Sequence, residues 1–134
     1  MAQPVRNRSL TPVGRFVATT QGVSPIEACE LAWSALRRWQ AENPGSGVPV
    51  AVFATRQAAH ENVWMARASE ECRCATFRTR ASVRPRSAPV LLFFPSHAVL
   101  DDYDADNGTT ALFVVESPDW PLTAWRASRR LAEL

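Results

Sequence analysis

The chain contains no lysine, so all 15 of its cationic side chains are arginines. Glycine is also scarce, and no glycine-rich loop follows any predicted strand. The segment Thr19–Gly22 has a single glycine, whereas phosphate-binding loops of the Walker and dinucleotide types need several, and the Walker loop needs a lysine as well. The sequence therefore argues against a P-loop ATPase and against a Rossmann-type dehydrogenase.

Long apolar runs are missing too. No run approaches the length of a membrane-spanning helix, and the polar, proline-broken segment Gln3–Gly14 cannot form the apolar core of a signal peptide. The three cysteines are an odd number, which is typical of a reducing compartment rather than of a disulfide framework. We therefore expect a cytosolic protein that does not contact a membrane.

The remaining composition is that of a globular domain. Hydrophobic residues make up 46% of the 134 residues and charged residues 21%, which is enough for one domain with a real core. The net charge of +2 argues mildly against a nucleic-acid module that depends on electrostatics. Residues 1–13 are expected to be a flexible arm and residues 14–134 a single domain. The usage of arginine, alanine and tryptophan favours a small accessory protein of a bacterium or phage.

Apolar strands alternate with amphipathic helices along the domain. The clearest helix begins at Ser24, where Pro25 occupies the first helical position and Glu27 completes a capping box, and it stops before Pro44. Two further helices are predicted at Arg56–Ser69 and about His97–Tyr103, and a final one through Leu122, Trp125 and Leu131. The predicted strands are Arg15–Thr20, Val48–Ala54, Cys72–Phe77, Pro89–Phe94 and Thr109–Glu116.

This order predicts an α/β fold. We expect a three-layer sandwich with a mainly parallel sheet of about four to five strands, Rossmann-like in topology but without a dinucleotide fingerprint. Between the strands at Cys72 and Pro89 no helical pattern is found, so an arginine-rich connection at 78–88 takes the place of a crossover helix.

Ligands of open α/β sheets bind beyond the carboxyl ends of the strands. That rule selects the candidate stretches Thr19–Gly22, Thr55-Arg56, Phe77–Arg80, Pro95–His97 and Glu116–Asp119.

A cluster of arginines is the main functional signal. Its members are Arg73, Arg78, Arg80, Arg84 and Arg86. Arginine pairs with phosphate or carboxylate through two parallel hydrogen bonds, so the cluster is a candidate site for an anion or a nucleic acid. Only Phe77 is near enough to stack on a base, which weakens the single-stranded alternative. The cluster could equally be a solvated loop, partly neutralised by Glu70, Glu71 and the acidic turn Asp101–Asp106.

Ser96, His97 and Glu116 form the most enzyme-like group. They follow two predicted strands, and a serine, a base and a carboxylate are the ingredients of nucleophilic catalysis. However, adjacent residues such as Ser96 and His97 seldom point toward one another, and no G-x-S-x-G elbow is present. Ser96 is better interpreted as the N-cap of the next helix.

Two sequence patterns resemble metal sites but lack the number or spacing of ligand residues that such sites need. Cys72 and Cys74, with His60 or His97, offer only one close pair, whereas structural zinc usually takes two. The run Asp102–Gly108 resembles a calcium loop but lacks the required glycine and glutamate positions. No metal or cofactor is therefore predicted.

Trp39 and Trp64 could be partly exposed, and tryptophan is a favoured interface anchor. The favoured hypothesis is a non-enzymatic protein–protein interaction module with a protein partner or a second copy of itself. The first alternative is binding of nucleic acid or nucleotide phosphate through the arginine-rich loop. The second alternative is a small hydrolase or transferase that uses Ser96, His97 and Glu116.

Overall fold

One parallel sheet forms the centre of the molecule. The computed structural model describes residues 14–119, 122, 125 and 132–134. Within these residues the strands are β1 (Gly14–Ala18), β2 (Val50–Phe53), β3 (Arg73–Thr76), β4 (Ala88–Phe93), β5 (Thr109–Val115) and β6 (Ala132–Glu133). They form a six-stranded sheet in the order β3-β2-β4-β5-β1-β6, and every neighbouring pair is parallel. The predicted α/β class is confirmed, and the sheet is wider than expected because β6 pairs with Phe16 and Val17 of β1.

The first helix, α1 (Pro25–Glu42), begins as the sequence predicts. The Ser24 hydroxyl oxygen accepts a hydrogen bond from the backbone N–H of Glu27 at 3.1 Å and donates to the Glu27 carboxylate at 3.1 Å. The first of these bonds satisfies a backbone donor that has no partner inside the helix, which contributes about 1 kcal/mol in comparable helices. The predicted capping box forms in part, because the Glu27 carboxylate bonds the Ser24 hydroxyl and not its backbone N–H. The buried side of the helix includes Cys29, Trp33 and Leu36.

The predicted second helix is divided into two pieces. A short 3₁₀ helix spans Gln57–His60, and α2 follows at Val63–Glu71. The break lies at Asn62, whose side-chain oxygen accepts from the backbone N–H groups of Trp64 and Met65 at 3.0 Å each. Asn62 has an extended backbone, with φ −153° and ψ 172°, so it begins a new helix instead of continuing the old one.

Helices and loops cover both faces of the sheet, as a three-layer sandwich requires. On one face α1 and α2 pack over a cluster that includes Phe53, Phe93 and Phe113, with the first two rings stacked at 5.0 Å. On the other face α3 (His97–Asp104) packs over the aliphatic side chains of the same strands and buries Leu100 and Tyr103 completely. All residues of β4 are buried, in agreement with its uninterrupted apolar sequence.

The connection between β3 and β4 crosses the second face without an α-helix. It contains only a short 3₁₀ helix, Arg80–Ser82. Phe77 and Val83 pack against the core of this face, and the Val83 carbonyl accepts a hydrogen bond from the Tyr103 hydroxyl at 3.4 Å. The connection therefore covers the core in the place of a crossover helix.

Arg84 ties this connection to α3. Its guanidinium donates to both oxygens of Asp102 at 3.1 and 3.2 Å and to the carboxylate of Asp106 at 2.7 and 2.9 Å. It also lies 4.7 Å from the centre of the Tyr103 ring. Partial burial opposes ionisation of Arg84, but the hydrogen bonds with Asp106 and Asp102 prevail and raise its pKa.

Two predicted segments lie mostly outside the described residues. They are the N-terminal arm at 1–13 and the final helix. Leu122 and Trp125, which belong to the predicted final helix and are described, are buried in the core of the α3 face.

Replacement of Gly108 by alanine should destabilise the protein. A Cβ atom at Gly108 would overlap the backbone carbonyl oxygen of Pro85, so the connection or the start of β5 would have to shift. We expect a loss of about 1–3 kcal/mol in the free energy of unfolding, measured by urea denaturation. Gly45→Ala is the matched control, because nothing lies within 4 Å of its added Cβ. Equal stability of the two variants would contradict the close approach of Pro85.

The Asp102 cluster should make stability fall in acid. Burial opposes ionisation of Asp102, but hydrogen bonds from Arg84 and Arg80 prevail and lower its pKa below the ordinary 3.8. Its contribution to stability is therefore present above the ordinary pKa and is lost as the pH falls through the lowered one. Asp102→Asn should reduce the difference in melting temperature between pH 6 and pH 3, whereas Asp119→Asn, in an exposed turn, should not. An unchanged difference in the Asp102 variant would disprove the linkage.

Candidate anion-binding cleft

An open cleft lies beyond the carboxyl ends of β2 and β3. Its volume is about 980 Å³. The residues that line it are Phe53, Ala54, Thr55, Arg56, Gln57, Ala59, His60, Ser69, Cys74, Ala75, Thr76, Arg78 and Thr79. Two of the stretches selected from the sequence, Thr55-Arg56 and Phe77–Arg80, contribute to this lining, because the carboxyl ends of adjacent parallel strands meet at one edge of the sheet.

One lip of the cleft follows β2. The Thr55 hydroxyl oxygen accepts from the backbone N–H of Ala58 at 3.2 Å, which helps to start the 3₁₀ helix Gln57–His60 immediately after the strand. Ala58 and Ala59 are buried and anchor that helix against the core. Arg56 lies between the strand and the helix and is exposed at the rim.

The other lip is the turn Thr76–Thr79, which follows β3. The backbone N–H of each threonine donates to the hydroxyl oxygen of the other, at 2.9 and 3.2 Å. The turn is attached to β2 through a hydrogen bond from the Phe77 N–H to the Phe53 carbonyl at 3.0 Å. Arg78 lies at the tip of this turn and is exposed.

The lining of the cleft carries positive charge without a compensating acid. Arg56 and Arg78 belong to the lining, and none of its residues is an aspartate or glutamate. Neither arginine forms an ion pair with any residue that the structure describes. A guanidinium keeps its charge at any physiological pH, so the cleft offers two planar donors to an anion.

The arginine cluster of the sequence is divided by the structure. Arg80 and Arg84 form ion pairs with Asp102, and Arg84 also pairs with Asp106. Arg73 donates to the backbone carbonyl of Arg84 at 2.8 Å. Arg86 is exposed just before β4, at the amino edge of the sheet, whereas Arg78 lies at the carboxyl edge. The five arginines therefore do not form one surface, and only Arg78 lines the cleft.

Sequence reasoning missed part of the cleft. Arg56 was selected by its position after β2 but was left out of the arginine cluster, because it lies far from the other arginines in sequence. Gln57 and Ser69 were not considered as ligand residues, and His60 was considered only as a zinc ligand, although all three line the cleft. The alternation of strands and helices could have identified Arg56 and Arg78 as a pair, since both follow adjacent strands.

Ser96 and Glu116 are both engaged in structural hydrogen bonds. The Ser96 oxygen accepts from the N–H of Val99 at 3.4 Å and caps α3. Glu116 is 1% exposed, and its two oxygens accept from the Thr19 hydroxyl at 2.8 Å and the Leu122 N–H at 2.9 Å. These bonds account for both residues without a reaction, so catalysis by Ser96, His97 and Glu116 stays an untested prediction.

The two tryptophans selected as interface anchors are both half-buried. Trp39 meets the edge of Phe113, with ring centres 6.4 Å apart. Trp64 lies beneath the guanidinium of Arg67 at 5.4 Å. Each ring thus keeps some accessible surface, and the proposed role in partner binding stays a prediction.

Two further features are absent from the described part of the chain, namely a cluster of metal ligands and a membrane-spanning helix. No group of three or more His, Cys, Asp or Glu side chains could hold a metal ion there. Cys72 and Cys74, the candidate thiolate pair, are half-buried and exposed respectively, and the Cys74 thiol donates to the Ser69 carbonyl at 3.3 Å. No helix among these residues is long and apolar enough to cross a membrane.

Comparison with known proteins gives no match to a family model, to a curated protein or to a solved structure.

Cys74 should be the first cysteine to react with iodoacetamide in the folded protein. Burial raises the pKa of Cys29 to about 11 and that of Cys72 to about 12, so both stay protonated and shielded at pH 8. Cys74 is exposed at the cleft. Its pKa is also raised by burial, so its reaction rate should still be rising above pH 9.

Peptide mass mapping after timed alkylation would test this order, with Cys74→Ser as the control that should lose the fast adduct. Modification of Cys72 before Cys74 would contradict the described packing.

Proposed function

We propose that this chain is a binding domain that takes a small organic anion into the cleft at the ends of β2 and β3. The observation that carries the proposal is the presence of one arginine on each lip of the cleft, Arg56 and Arg78, in a lining that contains no aspartate or glutamate. While the cleft is empty, water hydrates the two guanidinium groups, so leaving them without an ion pair costs little free energy. When a ligand displaces that water, each guanidinium can donate strong, charge-assisted hydrogen bonds to it. A phosphate or carboxylate group supplies both the negative charge and the acceptor oxygens that such donors bind.

The size and remaining chemistry of the cleft indicate more than a bare ion. A volume of about 980 Å³ is at the upper end of the range of small-molecule pockets. Phe53, Ala54, Ala59 and Ala75 are apolar members of the lining. The expected ligand therefore combines an acidic group, which the arginines bind, with an apolar or aromatic body. A nucleotide or another phosphorylated metabolite satisfies this description, and so does an aromatic carboxylate.

Binding of a long nucleic acid is the less favoured alternative. Arg80 and Arg84 are already paired with aspartates, so they are poorly available to a phosphate backbone. Arg78 and Arg86 lie at opposite edges of the sheet, which does not suit a continuous basic track. A nucleic-acid function would need a second basic surface in addition to the cleft.

A protein–protein interaction remains the second candidate. Ile26 and Leu31 of α1 and Val63 of α2 are large apolar residues that are 42–58% exposed. Exposed apolar residues on neighbouring helices are typical of protein–protein interfaces, and Trp64 on α2 could extend this apolar surface. We also retain a cytosolic location as part of the proposal, because all three cysteines are free.

Replacement of either cleft arginine should weaken anion binding. We expect Arg56→Ala and Arg78→Ala each to lower the affinity for the best-binding anion at least about tenfold, because a charge-assisted hydrogen bond contributes about 1.5–3 kcal/mol. The measurement is isothermal titration calorimetry with a panel of inorganic phosphate, pyrophosphate, nucleoside monophosphates and aromatic carboxylates.

Arg86→Ala is the matched control, because it removes the same charge from an exposed position outside the cleft. Its affinity should differ from that of the wild type by less than about twofold. Failure of every anion in the panel to bind at millimolar concentration would refute the proposal. Equal losses in Arg78→Ala and Arg86→Ala would instead indicate a diffuse basic surface and favour nucleic acid.

A further inference from the structure

Arg80 lies beneath the turn that carries Arg78, and its side chain joins that turn to α3. Its Nη1 atom donates to the Phe77 carbonyl oxygen at 2.6 Å, and its Nε atom donates to Asp102 at 2.9 Å. We propose that Arg80 and Asp102 are positioning residues for the cleft, which hold the turn in the conformation that presents Arg78 to the ligand. The inference rests on the proposed anion site.

The Phe77 carbonyl is the decisive acceptor, because it belongs to the peptide group that joins Phe77 to Arg78. Fixing this peptide plane fixes the direction in which the backbone of Arg78 leaves the strand. The backbone hydrogen bond from Phe77 to Phe53 holds the other side of the same residue. Phe77 is thus held by β2 on one side and by Arg80 on the other.

Asp102 fixes the Arg80 side chain. Holding the long and flexible side chain of Arg80 in one conformation costs conformational entropy. A single hydrogen bond to a carbonyl offsets little of that cost, and the bond to Asp102 offsets more of it. Asp102 is itself held by Arg84, which also donates to the backbone carbonyl of Arg80 at 3.2 Å. Asp102 of α3 therefore supports the turn through two guanidinium groups, those of Arg80 and Arg84.

An ordered turn should favour binding because the ligand then has less chain to immobilise. Ordering a loop on binding costs free energy that a preorganised site has already spent in folding. The Arg78 side chain is exposed, but a hydrogen bond from Arg80 holds the peptide group from which it extends. Loss of Arg80 should therefore weaken the contribution of Arg78 and leave that of Arg56 in place.

A double-mutant cycle separates positioning from general destabilisation. The probe is inorganic pyrophosphate, titrated into the wild type, Arg78→Ala, Arg80→Ala and the double variant, with binding followed by NMR chemical shifts. We expect Arg80→Ala to lower the affinity by about three- to tenfold, and to have little further effect in the Arg78→Ala background, as coupled residues do. Full additivity of the two losses would overturn the proposal.

Arg15→Ala is the matched control. Arg15 on β1 pairs with Asp104 at 2.6 Å, so its loss removes an arginine–aspartate pair of the same helix α3 without touching the turn. Its pyrophosphate affinity should stay within about twofold of the wild type even if its melting temperature falls as far as that of Arg80→Ala. An equal loss of affinity in the two variants would show that destabilisation alone is responsible.

Amide hydrogen exchange supplies a readout that needs no ligand. The Thr79 N–H bonds to the Thr76 carbonyl inside the turn, so its exchange reports opening of the turn. Arg80→Ala should accelerate it about tenfold, and Arg15→Ala should not. If the wild type fails to bind pyrophosphate and the other anions, the proposed function fails, and unchanged Thr79 exchange in Arg80→Ala would separately overturn the positioning role.

Discussion

The contact between Arg84 and the carboxylates of Asp102 and Asp106 is the interaction on which the second face of the molecule depends. A parallel sheet needs cover on both faces, and the connection from β3 to β4 lacks the helix that would ordinarily provide it. Irregular chain has fewer internal hydrogen bonds, so it must be held by side chains. One planar guanidinium bonds two carboxylates, lies over the face of the Tyr103 ring and fixes the loop above the core.

This arrangement explains why charge accumulates in a segment that is not one functional surface. The segment has to meet two demands, because its start forms a lip of the cleft and its remainder closes the core. Arg80 and Arg84 are neutralised by aspartates of the α3 region, and they act as parts of the scaffold. Arg78, two positions before Arg80, has no such partner within the described chain. Whether an arginine is paired with an aspartate distinguishes the arginines that hold the structure together from those that can bind a ligand. The number of arginines in the segment does not make this distinction.

Much of the architecture could be predicted from local patterns. The helix N-cap at Ser24 and the apolar run of β4 are encoded in residues close together in the chain, and the sequence predicts both. Asn62 was overlooked because the apolar spacing continues across it, and only its backbone conformation reveals that a new helix starts there. The strand β6 has two residues, which is too short for any periodicity.

The cleft was only half predictable for a different reason. Its position follows from the parallel sheet, so Thr55-Arg56 and Phe77–Arg80 could be selected from the sequence. The pairing of Arg84 with Asp102 and Asp106 joins residues 18 and 22 positions apart, and it requires a known path for the connection. Sequence therefore locates the lips of the cleft, whereas the distinction between free and neutralised arginines depends on tertiary contacts.

The position of β1 has a consequence for how the chain acquires its structure. β1 lies between β5 and β6, and the bond from Thr19 to Glu116 joins residues 97 positions apart. Of the six described strands β1 is made first, whereas its two neighbours in the sheet, β5 and β6, follow the other three in the chain. Contacts of such long sequence separation slow folding, and until β5 arrives both hydrogen-bonding edges of β1 remain open to other chains. Nascent molecules should thus be most vulnerable to misassembly in the interval between the synthesis of β1 and that of β5.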